Sequence, residues 1–110
     1  MKTYCLTLDL INDPELIREY EKYHQKIWPE IYASIKNSGI EKMQIYRFSN
    51  RLMMRMEVND SFSFEHKAAM DEENERVQEW EKLMWKYQQA LPGSKPGEKW
   101  MLMNQIFELG

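Results

Sequence analysis

Tyr20, His24 and Trp28 stand at four-residue steps in the string Tyr20-Glu21-Lys22-Tyr23-His24-Gln25-Lys26-Ile27-Trp28-Pro29-Glu30, which holds one of only two histidines in the chain. On a helix such steps place side chains on one face, each about one turn from the next. An imidazole that titrates near neutrality, flanked by a phenol and an indole, suits holding a small polar ring and moving its protons. Such a stripe more often marks the packed side of an amphipathic helix. Spacing alone leaves both readings open.

Other chemistries find less support. His24 and His66 fall on different helical stretches, and the single Cys5 leaves no cysteine pair for a zinc site. The four glycines, at 39, 93, 97 and 110, give no Gly-x-Gly-x-x-Gly phosphate cradle. No serine sits in a nucleophile-elbow context, and Cys5 lies within a strand-like run. What remains is acid–base work by His24, helped by Tyr20 and the many carboxylates. His66, beside Glu65 and Lys67, reads as a solvated or helix-packing residue.

These residues need a scaffold, and 110 residues fit a single domain over 1–110. A content of 43% hydrophobic and 30% charged residues describes a folded chain. Basic residues number 15 and acidic ones 18, intermixed, for a net charge of −3. No basic stripe awaits nucleic-acid phosphates, and no polybasic patch awaits an anionic membrane. No apolar run approaches the roughly 18 residues of a membrane span. The N-terminus enters structure without an apolar leader, so the expected location is cytoplasmic. Cys5 is expected as a buried small hydrophobe. Nine methionines are many for this length and serve either a core or an adaptable subunit interface.

Residues 2–10 alternate, with Tyr4, Leu6, Leu8 and Leu10 on one face, as in a half-buried strand. Asp13-Pro14 starts a helix that runs to about Gln25. Trp28-Pro29 breaks it, and a second helical stretch ends at Asn37-Ser38-Gly39. Residues 41–48 and 52–58 form a hairpin around Ser49-Asn50-Arg51. A helical region then runs from Phe62 to Leu91, with a break expected near Asp71. Pro92 to Gly97 is a loop, and Lys99 to Leu109 reads as the last strand. The order β-α-β-β-α-β predicts an α+β, ferredoxin-like fold, a four-stranded antiparallel sheet with its helices on one face. The uncovered face would carry Cys5, Tyr46, Phe48 and several methionines, too apolar to stay wet, which predicts a homodimer.

The string Tyr20-x-x-x-His24-x-x-Ile27-Trp28-Pro29-Glu30, followed by Gly39 and Ile45-Tyr46, resembles the L-rhamnose mutarotase family. The Trp80 helix, the Leu91-Pro92 exit and the ending Gln105-Ile106-Phe107-Glu108-Leu109 are similar too, so the likeness spans the whole chain in order. The resemblance implies a dimeric α+β protein that interconverts the α and β pyranose anomers of a 6-deoxy sugar, L-rhamnose first, without metal or organic cofactor. It implies His24 as the catalytic proton donor and Tyr20 as a substrate contact. Two departures fall among the residues that contact sugar. Met43 stands where the family has a tyrosine, and Trp80-Glu81 where it has two tryptophans, which leaves Trp85 to supply the second indole. The expected substrate-binding set is thus Tyr20, Met43, Trp80, Glu81 and Trp85. The departures bring in L-fucose or another 6-deoxy hexose as the alternative substrate. A non-catalytic sugar-binding dimer is the alternative from another class. A dimeric α/β-barrel monooxygenase or haem-handling protein shares the expected fold.

Overall fold

Strand β1 (Lys2–Leu10) turns Leu6, Leu8 and Leu10 to the buried side, as its alternation requires. The computed structural model describes residues 1–110. After β1 come helices α1 (Pro14–Gln25) and α2 (Pro29–Asn37), strands β2 (Ile40–Phe48) and β3 (Arg51–Val58), and helices α3 (Phe64–Glu73) and α4 (Glu75–Trp85). Two short strands, β4 (Gln88–Gln89) and β5 (Met101–Leu102), complete the set. The antiparallel sheet runs β2-β3-β1-β4, and β5 pairs with β1 beside β4. That is the ferredoxin-like order, with β4 and β5 sharing the place of the fourth strand. No helix is long and apolar enough to cross a membrane.

Local chemistry sets the element ends. Asp13 caps α1 by accepting from the backbone N–H groups of Glu15 and Leu16, and Pro14 fills the first helical position. Pro29 opens α2 in the same way, so Trp28 sits at the junction between the two helices. Gly39 ends α2 at φ +102°, a conformation that L side chains rarely adopt, and an added Cβ would lie 2.8 Å from Asn59 Oδ1. Asn74 does double duty. It ends α3, and its side chain accepts from the N–H groups of Arg76 and Val77 to start α4.

The late helical region therefore breaks at Asn74, three residues after the expected position, and stops at Trp85 instead of Leu91. Tyr87 is claimed by the core, and Gln88 and Gln89 extend to pair with β1. The expected strand over Lys99–Leu109 is also shorter. Only Met101 and Leu102 pair, and Met103 adds one bond to the Cys5 carbonyl. The segment beyond carries exposed Ile106, Phe107 and Leu109.

Facing registers put Met43 and Ile45 of β2 beside Met56 and Met54 of β3, on the helix side with Leu6. The opposite face shows Tyr46, Phe48 and Met53, with a half-buried Cys5. It also holds a bidentate Arg51–Asp9 pair at 2.8 and 3.1 Å. The core under the helices is divided. One cluster joins Leu10, Tyr20, Ile31, Leu52, Val77, Trp80, Met84 and Tyr87; the other joins Leu6, Ile40, Met56 and Val58. Protein interiors normally close such gaps.

Candidate active site

The gap between the two clusters is a cavity of about 580 Å³, within the usual size for small-ligand sites. Its lining is mostly apolar, from Leu6, Ile31, Ile35, Ile40, Met54, Met56 and their neighbours. Its polar lining comes from Tyr20 and His24 of α1, Ser34 of α2, Lys67 and Asp71 of α3, Glu81 of α4, then Gln88 and Lys99. A few polar groups in an apolar cavity are what a small polar ligand with one greasy face requires.

Helix α1 fixes the first pair. Tyr20 is 3% exposed, and its ring lies 4.3 Å from that of His24. Burial pushes the Tyr20 hydroxyl up to about 12, against a small opposing effect of Gln88, whose Nε2 donates to it at 3.5 Å. Tyr20 is therefore a neutral phenol, able to donate as well as accept. His24 Nδ1 lies 2.8 Å from the Tyr20 carbonyl oxygen. A carbonyl only accepts, so Nδ1 carries the proton and Nε2 keeps the lone pair. Burial lowers the His24 pKa below its ordinary 6.5, and the carbonyl bond opposes this only in part. The ring is thus a neutral base at physiological pH.

Trp80 stands edge-on to His24, with ring centroids 5.6 Å apart, and is itself braced by Trp28 at 5.1 Å and Tyr23 at 6.2 Å. Arg76 caps the Trp28 ring at 4.2 Å. Trp28, the third member of the sequence stripe, packs against Trp80 and does not line the cavity. Of the expected contacts, Tyr20, His24, Met43, Trp80 and Glu81 come together around the cavity. Trp85 does not: it is 39% exposed, outside the lining, with Lys99 Nζ 5.2 Å from its ring centroid. The second indole in the cavity is Trp100, delivered by the segment that leads into β5.

Sequence reasoning missed Trp100, Lys99, Gln88 and the Ser34, Lys67 and Asp71 group. Gln88 and Trp100 lay in stretches read as helix end and strand start, where side-chain direction depends on sheet pairing. For Lys67 and Asp71 a signal existed: with Phe64 they follow the spacing of one helical face.

The family model of L-rhamnose mutarotase matches residues 3–109 of the chain. An L-fucose mutarotase of Xanthomonas campestris is 45% identical over 111 residues, covering 99% of this chain and 89% of that protein. An L-rhamnose mutarotase of Shigella flexneri is 29% identical over 76% of this chain and 79% of its own. The crystal structure of an L-rhamnose mutarotase from Formosa agariphila superposes with a TM-score of 0.73 at 19% identity, over 100% of both chains. The chain belongs to the L-rhamnose mutarotase family.

Proposed function

We propose that the protein interconverts the α and β pyranose anomers of a 6-deoxy hexose, with His24 as the group that moves the proton. The observation that carries this reading is the 2.8 Å contact of Nδ1 with the Tyr20 carbonyl, which sets the tautomer and leaves Nε2 as a base in an apolar cavity of sugar size. The family supplies two substrate candidates. L-fucose is placed ahead of L-rhamnose, because the full-length relative at 45% identity is an L-fucose mutarotase. Met43 and Glu81, the departures from the family pattern, both line the cavity and so change the surface offered to the sugar.

The proton balance closes with one residue. Neutral His24 takes the proton of the anomeric hydroxyl as C1–O1 gains double-bond character and the bond from C1 to the ring oxygen breaks. The imidazolium then gives the proton to the released oxygen. Rotation about C1–C2 and the reverse sequence close the ring on the other face. Tyr20 and Gln88 supply hydrogen bonds beside this path, and the indoles of Trp80 and Trp100 pack against C–H faces.

Saturation-transfer NMR between α and β signals tests the reading: added protein accelerates exchange, and His24→Ala removes most of the gain. An unchanged rate in that variant takes His24 out of the mechanism. Binding in calorimetry without accelerated exchange would favour the non-catalytic sugar-binding dimer.

A homodimer is part of the proposal. Tyr46 and Phe48, 55% and 86% exposed, lie on the open sheet face with Met53, and the terminal segment exposes further apolar residues. A second copy over this face would remove that surface from water. Sedimentation equilibrium should give twice the chain mass; Phe48→Glu should shift the balance toward monomer.

A further inference from the structure

Helix α3 presents an unusual side to the cavity. Phe64, Lys67 and Asp71 share one helical face, and all three line the cavity. A helix held only by core packing turns apolar residues inward. Yet α3 has no fully buried residue, and its inward face carries an ion pair. Lys67 Nζ lies 2.6 Å from Asp71 Oδ2, with side chains only 24% and 14% exposed. From α2, the buried Ser34 hydroxyl donates to Asp71 Oδ1 at 3.4 Å. Withdrawing two charges from water costs more than such an attraction reliably returns, so stability alone does not account for the arrangement.

We propose that Lys67, Asp71 and Ser34 form a hydroxyl-reading subsite, which takes neighbouring non-anomeric hydroxyls of the bound pyranose and sets which 6-deoxy hexose is accepted. The proposal rests on the sugar reading of the cavity. A sugar hydroxyl both donates and accepts. The Asp71 carboxylate only accepts, the Lys67 ammonium only donates, and the Ser34 hydroxyl does both. Capacity remains on each, since Lys67 spends one donor on Asp71, and Asp71 receives Lys67 and a long bond from Ser34. Ile35, Ile40 and Phe64 line the same cavity and offer an apolar wall for the methyl group and C–H bonds. The subsite comes from α2 and α3, whereas His24 and Tyr20 come from α1. One end of the ring would meet the base while hydroxyls elsewhere are read. L-fucose and L-rhamnose differ in configuration at C2 and C4, so fixed donors and acceptors at such positions separate them.

Calorimetry with L-fucose, L-rhamnose and the 2-, 3- and 4-deoxy derivatives of L-fucose tests this on the unaltered protein, Asp71→Asn and Lys67→Met. Each variant should bind the parent sugar at least about tenfold more weakly, as expected for a lost charge-assisted bond. Toward the deoxy sugar that lacks the read hydroxyl, the variants should lose little. Uniform weakening toward every sugar, or none, overturns the subsite. Anomer exchange by the unaltered protein is measured alongside. Hydroxyl-dependent losses without exchange uphold the subsite and overturn the catalytic reading, while exchange with uniform losses does the reverse. Failure of the unaltered protein to bind any of the sugars overturns both.

Discussion

Helices α1 and α3 both wall the cavity, but they are held in different ways. α1 is capped by Asp13, buries Tyr20 and packs Leu16, Ile17 and Tyr23 against the larger core cluster. α3 has a Ser63 cap but no buried residue, and it presents Phe64 and a charged pair to the cavity. A proton-transfer group needs a fixed position, since small displacements cost rate. Ligand-binding elements, by contrast, are drawn from the less stable parts of a fold. On the proposed reading rate belongs to α1 and selectivity to α3, and substitutions on either helix can break that division.

The largest effect is expected at His24. Removing its imidazole should cost about 10²–10⁴-fold of the exchange rate gained with protein, the usual worth of general acid–base help. His24→Gln, which keeps polarity without titration, should be as slow. Loss of a comparable factor in Lys67→Met would erase the division between the helices.

Next comes Trp80, which packs against Tyr23 and His24 of α1. It is 8% exposed and touches Tyr23, His24 and Trp28 through edge-on contacts. Trp80→Ala should cost about 3–5 kcal/mol of stability in urea unfolding, because both burial and packing are lost. His66→Ala on α3 is the control. That side chain is exposed, and its removal should stay within about 0.5 kcal/mol. A large effect at His66 would show that α3 is held more tightly than its burial indicates.

A smaller effect is expected where α3 meets α4. Asn74→Ala removes the side-chain oxygen that accepts from Arg76 and Val77, at a cost of about 1 kcal/mol. Because the cap lies between α3 and the Trp80 helix, the variant should loosen α3 first, visible as faster amide exchange in Phe64–Glu73 than in α1. Equal acceleration in α1 would mean that the two walls open as one unit.

The same contrast explains how much could be read in the chain. The Asp13-Pro14 start, the Trp28-Pro29 break and the Gly39 stop are written in single residues with strong conformational demands, so α1 and α2 matched their expected bounds. Tyr20 and His24 followed from spacing within one helix. The late region offered weaker marks. Asn74 can both end one helix and start the next, and a sequence that runs on in helix formers hides such a break. Tyr87 to Gln89 left the helix because β1 supplied an edge to pair with, and the Trp100 indole reached the cavity through the β5 pairing. Both depend on contacts far apart in sequence. The Trp85 expectation failed to reach the cavity for the same reason: the nearest indole along the chain is not the nearest in space.

The last difference between the walls lies in acid. Burial lowers the His24 pKa below 6.5 in the folded protein, while the unfolded chain titrates near the ordinary value. Between the two values the unfolded chain binds more protons, so stability falls as pH drops through this window. The contribution is complete above 6.5 and lost below the folded pKa, once both states are protonated. His24→Gln should flatten this part of the pH–stability curve, measured by urea midpoints from neutrality downward. Exchange activity should show an acid limb in the same direction, displaced below 6.5, because only neutral His24 can take the anomeric proton. Tyr20, held up to about 12, should leave the alkaline side flat through the range in which the protein is normally assayed. His66, exposed on α3, serves as the internal comparison: His66→Gln should leave the acid limb of both curves in place. If it is His66→Gln that flattens them, the titrating group belongs to α3, and the assignment of rate to α1 is wrong.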